Sequence, residues 1–404
     1  CIQILPQNFL PPCSVQIPLN RSDVSFPAPT ADALAHSEKL SALIHRDIAD
    51  HGGWIPFERY MELALYAPGL GYYSAGAKKI GKDGDFITAP EISALYGQSI
   101  AQCAADVLTQ TDGDILEFGA GSGKLALDVL TELQQLNQLP KNYFILEVSA
   151  DLRERQQILL SALPADIFGR IKWIDKLFNK FNGLIIGNEV LDAMPTHLIA
   201  WNEVGIQERG VAIENDKFIF QDRDPDKNSA LLTAAQKLNL SNAYVSEINL
   251  SSSGFIASLG AMLQQGVMLL IDYGFSAAEF YHPQRSMGTL MCHYRHHAHA
   301  DPFYLPGLQD ITSHVDFSAM AQAGEDAGLD VLGYTSQAQF LLGCGITDLI
   351  ARYDARDAAN YLPVVNAVQR LVSPAEMGEL FKVIAMGRDF SVPLRGFNAR
   401  SLRL

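Results

Sequence analysis

A short apolar run that ends in an acid and breaks at once into three alternating glycines, Asp114-Ile-Leu-Glu117-Phe118-Gly119-Ala120-Gly121-Ser122-Gly123-Lys124, constrains this chain more than any other segment. It reads as buried strand, tight loop and helix start. Gly119, Gly121 and Gly123 permit sharp turns and let bare backbone approach a ligand with no Cβ between them, and the helix that follows turns its free N–H groups toward that ligand. Such a unit belongs to an α/β sheet, which binds its ligands outside the carboxyl ends of the strands. The strict dinucleotide fingerprint G-x-G-x-x-G fails here, because Lys124 stands where the third glycine belongs.

An acid two residues before the first glycine, as in E-x-G-x-G-x-G, resembles the first motif of class I S-adenosylmethionine (SAM) methyltransferases. SAM has no pyrophosphate, but it carries an ammonium that Glu117 can meet directly or through water. Downstream, Asn142-Tyr-Phe-Ile-Leu-Glu147-Val-Ser149 is a second apolar run closed by a carboxylate. At the end of a neighbouring parallel strand, Glu147 would reach the ribose hydroxyls of the same ligand.

Strand-then-helix spacing continues through 171–175, 183–189, 266–274, 330–340 and 381–386. It predicts a mostly parallel sheet of seven strands in an α/β, Rossmann-like fold. Helical periodicity over 33–50 and 57–65 predicts an N-terminal helical cap spanning 31–110, preceded by a Pro-rich flexible leader at 1–30. The main domain is expected over 111–390 with a tail at 391–404. Short β-like runs suggest an antiparallel insertion at 198–246; a further insertion lies at 275–316 and a helical one at 346–380.

A net charge of −15 argues against a protein that tracks phosphate backbones, and no nucleic-acid partner is expected. No apolar run approaches the roughly 20 residues of a membrane span. Five cysteines without a C-x-x-C pair suggest neither a disulfide framework nor zinc. The histidines of Met291-Cys-His-Tyr-Arg-His-His-Ala-His299 sit in a polar context that reads as a solvent-facing loop, and no metal site is expected.

Acids recur at the later strand ends: Asn188-Glu189-Val-Leu-Asp192 after the fourth strand, and Asp272 after the fifth. Methyl transfer needs an acceptor lone pair held in line, and carboxylates hold a guanidinium bidentately. Glu189 and Asp192 are therefore the candidate acceptor-binding or catalytic residues. Capping of a local turn is the structural alternative for both.

Beyond these pieces the order of motifs is specific. Gly71-Tyr-Tyr73, Gly84-Asp-Phe86, Thr88-Ala-Pro90-Glu91-Ile-Ser93, the glycine loop, Glu147-Val-Ser149, Asn188-Glu189 with Asp192, Asp272-Tyr-Gly274, Gly288-Thr-Leu290 and Asp310-Ile-Thr-Ser-His314-Val-Asp316-Phe317 resemble the MidA family. That resemblance implies a class I methyltransferase fold and SAM as cofactor. It also implies, from the family's mitochondrial member, protein arginine methylation during respiratory complex I assembly, so a respiratory-chain subunit is an expected kind of protein partner. It places the 81–93 loop over SAM or the acceptor, with Asp85, Thr88, Pro90 and Glu91 of interest, and adds Asn188 to the cofactor set and His314 to the acceptor side. The leader lacks a presequence pattern, which suggests a bacterial cytoplasmic setting before a mitochondrial matrix one. A SAM-binding assembly factor without turnover is the alternative reading, with an NAD-type oxidoreductase behind it. Oligomeric state is not legible.

Overall fold

The apolar runs pair side by side. In the computed structural model, which describes residues 26–75, 88–397 and 404, one sheet carries β1 (Asp114–Phe118), β2 (Tyr143–Leu146), β3 (Ile171–Ile174), β4 (Phe181–Asn188), β5 (Leu263–Phe275), β6 (Asp330–Ser336) and β7 (Phe381–Arg388). Their order is β6-β7-β5-β4-β1-β2-β3. Neighbours are parallel except β7, which runs antiparallel to both β5 and β6. The two-residue strand Val315–Asp316 pairs beside the end of β5, so the sheet has eight strands rather than the seven expected. Two residues carry no periodicity, which is why this strand leaves no trace in the sequence pattern.

Runs buried on both faces mark the sheet's centre. Leu184, Ile185 and Ile186 of β4 and Met268, Leu269 and Leu270 of β5 are fully buried, as a covered parallel sheet requires. Helices Ala94–Thr111 and Lys124–Gln135 cover one face, sharing a core that includes Ile100, Val129 and Leu184. Helices Leu250–Met262 and Phe317–Asp326 cover the other, with Ile256, Leu259 and Phe317 packed against Leu270.

The antiparallel insertion is present as His197–Asn202, Gly205–Glu214, Lys217–Arg223 and Tyr244–Ile248. Trp54–Pro56 adds a further strand, in the gap between the helices that periodicity predicts over 33–50 and 57–65. Its pairing with Gly210, Val211 and Ala212 is set by distant residues, so no local pattern announces it. β6 also stops earlier than the 330–340 run suggested. The Ser336 side chain accepts from the Gln339 N–H and starts a helix at Gln337.

The 291–299 segment corrects a second expectation. Instead of a solvent-facing loop it is a hairpin of Met291–Tyr294 and His297–His299, extended by Asp310–Thr312. Arg295 and His296 both take left-handed φ, 46° and 65°, as a two-residue hairpin turn demands. Cys292, Tyr294 and His299 point inward and are buried, while His296 and His297 are exposed. The polar count hid a period of two. Residues 81–87 with Asp85, and the leader through residue 25, lie outside the described residues. Among those described, no helix is long and apolar enough to cross a membrane.

Candidate active site

β1 and β2 run parallel in register, so the acids at their ends come within electrostatic reach of each other. Glu117 is buried and accepts a hydrogen bond from the Tyr143 hydroxyl at 2.7 Å. Burial pushes its carboxyl up to about 7, against the pull of that bond and with a further push from Glu147. The glycine loop follows with left-handed φ at Gly119, Gly121 and Gly123 (59°, 54° and 87°), which is why these three positions are glycine. Gly123 stands before the helix rather than on the cavity, and a Cβ there would come within 3.3 Å of Gln156.

Gln156 ties this half of the site together. Its Nε2 donates to the Gly121 carbonyl at 2.9 Å and to Glu147 Oε2 at 3.0 Å, while its own Oε1 accepts from Trp173 Nε1 at 2.9 Å. The Ser149 N–H donates to the other oxygen of Glu147 at 2.9 Å. Glu147 is thus aimed from both sides, and burial raises its carboxyl above the usual range. Gln156→Leu is expected to loosen loop and acid together and to weaken S-adenosylhomocysteine binding about 10-fold, the worth of one buried hydrogen bond, as titration calorimetry would read.

The other half is built at the ends of β4 and β5. Glu189 has φ 53°, a left-handed conformation that costs a non-glycine residue about 1–2 kcal/mol. Its N–H donates to the Ile271 carbonyl at 2.9 Å, and Asn188 Nδ2 donates to its Oε1 at 3.0 Å. Asn188 is held in turn by the Tyr96 hydroxyl at 2.5 Å. Asp272 Oδ2 gathers the N–H groups of Val190, Leu191 and Asp192 at 3.1, 2.9 and 3.3 Å, so the end of β5 shapes the turn after β4. Asp272 Oδ1 accepts from the Tyr273 N–H at 2.8 Å, so Asp272→Asn turns an NH2 donor either toward those three N–H groups or toward that of Tyr273. It is expected to cost about 1–3 kcal/mol of stability in denaturant melts and to displace Glu189.

Crowding of acids sets the electrostatics. Burial pushes Glu189 up to about 8, helped by Asp192, and Asp272 up to about 7, helped by Glu189. Burial together with Asp272 and Asp310 raises Asp192 well above the carboxylate range. Neither Glu189 nor Asp192 pairs with a cation among the described residues.

Both halves open onto one cavity of about 560 Å³. It brings together Thr88, Pro90, Glu117, Gly119, Gly121 and Glu147 with Asn188, Glu189, Asp192 and His314; of the expected residues that are described, Gly123 and Glu91 stay off its surface. His314 lies against Phe275 with ring centroids 5.2 Å apart, and its buried Nδ1 has no hydrogen-bond partner among the described residues. Burial, with Arg285 and Lys382 nearby, pulls its imidazole down to about 4, so it is neutral at pH 7. Glu91 accepts from the Ser122 hydroxyl and so fastens the short helix Ala89–Ile92 to the glycine loop.

Sequence reasoning assigned no role to Tyr66, Tyr73, Tyr273 and Asp310, which also line the cavity. Tyr73 and Asp310 stood inside motifs of the family resemblance. Their contact, Tyr73 hydroxyl to both Asp310 oxygens at 3.0 Å, joins residues far apart in the chain.

The bare backbone of the glycine loop, with Glu117 and Glu147 on either side, fits the amino acid and ribose ends of SAM. This mostly parallel sheet and this cavity suit a SAM-dependent methyltransferase. Residues 98–335 match the family described as "Putative S-adenosyl-L-methionine-dependent methyltransferase", and the chain belongs to that family, among its MidA-like members. Its relatives include the mitochondrial protein arginine methyltransferase NDUFAF7 of Danio rerio and the homolog of Caenorhabditis elegans, each 26% identical over 367 residues and 83% of both chains. A protein from Burkholderia thailandensis, in its crystal structure bound to S-adenosyl-homocysteine, is 48% identical with a TM-score of 0.90, over 94% of this chain and 99% of that one.

Proposed function

We propose that this methyltransferase acts on arginine side chains of a protein, with Glu189 as the catalytic carboxylate and Asp192 beside it. The observation that carries the reading is a strained, partly buried Glu189 facing the same cavity as the glycine loop, among further acids and, like Asp192, paired with no cation among the described residues. Strain of this kind persists where the surrounding structure holds it for a purpose. The names of the curated relatives support an arginine acceptor.

Bound SAM supplies a methyl group: its carbon–sulfur bond breaks with the pair on sulfur as a bond forms to an acceptor nitrogen, which then gives up a proton. Glu117 and Glu147 hold the donor's ammonium and ribose. Glu189 binds the guanidinium, concentrates its charge away from the attacking nitrogen and receives the released proton on its carboxylate. Thr88, Pro90 and Asn188 complete the donor side, and neutral His314 walls the acceptor side.

A respiratory-chain subunit is the class of acceptor that the family resemblance favours, and a bacterial cytoplasmic setting belongs to the same reading, supported by the Burkholderia protein. Labelled SAM, incubated with the protein and a cell extract, is expected to mark a protein on arginine. Label on lysine, or on no macromolecule, would sink the reading.

A further inference from the structure

Tyr66 and Tyr73 stack on each other at the acceptor end of the cavity, ring centroids 5.5 Å apart and planes 21° from parallel. Both are locked in place. The Tyr66 hydroxyl donates to the Ala193 carbonyl at 3.0 Å, next to Asp192, and the Tyr73 hydroxyl spans both oxygens of Asp310. Asp192 is more than nine-tenths buried, lines the cavity and meets no cation among the described residues. An aromatic pair lining the same cavity as a buried acid is a surface for a planar cation.

We infer that Tyr66 and Tyr73, with Asp192, form a seat that selects a guanidinium over an ammonium; this rests on the arginine reading above and adds how the side chain is chosen. Two physical effects act together. A guanidinium is planar, weakly hydrated and forked, so it lies on a ring and meets carboxylates edge-on at once, whereas an ammonium is compact and strongly hydrated. Acids around an ammonium also hold its proton, and a protonated amine has no lone pair to attack a methyl group. A guanidinium in the same field keeps nitrogen electron density that Glu189 can concentrate. The seat therefore discriminates in binding and again in reaction.

The test uses the whole chain saturated with S-adenosylhomocysteine and two probes, Nα-acetyl-arginine methylamide and its lysine counterpart. The arginine probe is expected to bind tighter by about 5- to 30-fold, the worth of a desolvated cation–π contact. Tyr66→Leu should bring the ratio near one, Tyr66→Phe should keep it, and the affinity for S-adenosylhomocysteine should stay unchanged in both. Equal probe affinities in the wild type, a ratio untouched by Tyr66→Leu, or Tyr66→Phe failing like Tyr66→Leu would each overturn the seat. Should no arginine protein accept methyl while the probe ratio holds, the reaction assignment falls and the seat stands.

Discussion

Glu189→Gln is expected to lower kcat for arginine methylation by about 10²- to 10⁴-fold, the usual loss when a positioned proton acceptor is removed. The substitution is nearly isosteric, and a glutamine oxygen still accepts from Asn188 Nδ2, so the turn after β4 keeps its shape. Donor affinity is expected to hold within about twofold, because Glu117 and Glu147 sit on the other half of the cavity. The pH profile separates chemistry from damage. With Glu189 pushed up to about 8, kcat/KM of the wild type should climb as pH rises through that value, and the variant should lack the climb. Undiminished turnover would refute the assignment. A fall in turnover matched by a fall in S-adenosylhomocysteine affinity would place Glu189 with the donor instead.

The gathering of the glycine loop with its two flanking acids was legible because its information is local. Glu117, the glycines and Glu147 lie within two adjacent strand–helix units, and parallel pairing of β1 with β2 is the default for such units. Glu189 and Asp192 followed from the same rule applied one strand over. Tyr66 and Tyr73 escaped because they sit in the N-terminal segment and reach the cavity only by packing against Ala193 and Asp310. The hairpin over Met291–His299 escaped because its polar residues masked the inward alternation of Cys292 and Tyr294. Asp272 was visible as a strand-end acid, but its role was not: it binds three successive N–H groups of another loop, a relation that exists only once β4 and β5 are paired.

Acids gathered for a cationic acceptor should make the unliganded protein lose stability as pH rises. In the unfolded chain Glu117, Glu189 and Asp272 titrate near the ordinary values of 4.5, 4.5 and 3.8; in the folded protein burial lifts them to about 7, 8 and 7. Between those limits the native state binds more protons than the unfolded state, so the contribution of these groups to stability is full below about pH 4 and is lost as pH climbs through 8. Each group contributes about 1 kcal/mol of loss per pH unit across its window, and the set titrates together rather than one by one. Melting temperature of the unliganded protein is therefore expected to drop steadily from pH 5.5 to 8.5. S-adenosylhomocysteine with the arginine probe should flatten the slope, because ammonium and guanidinium supply the positive charge that the ionised carboxylates lack. Glu189→Gln removes one of the titrating groups and should raise the melting temperature markedly at pH 8.5 and much less at pH 5.5. A melting temperature indifferent to pH over this range would mean that these carboxyls are ionised at no cost in the folded protein, and the cation-hungry site would go with them.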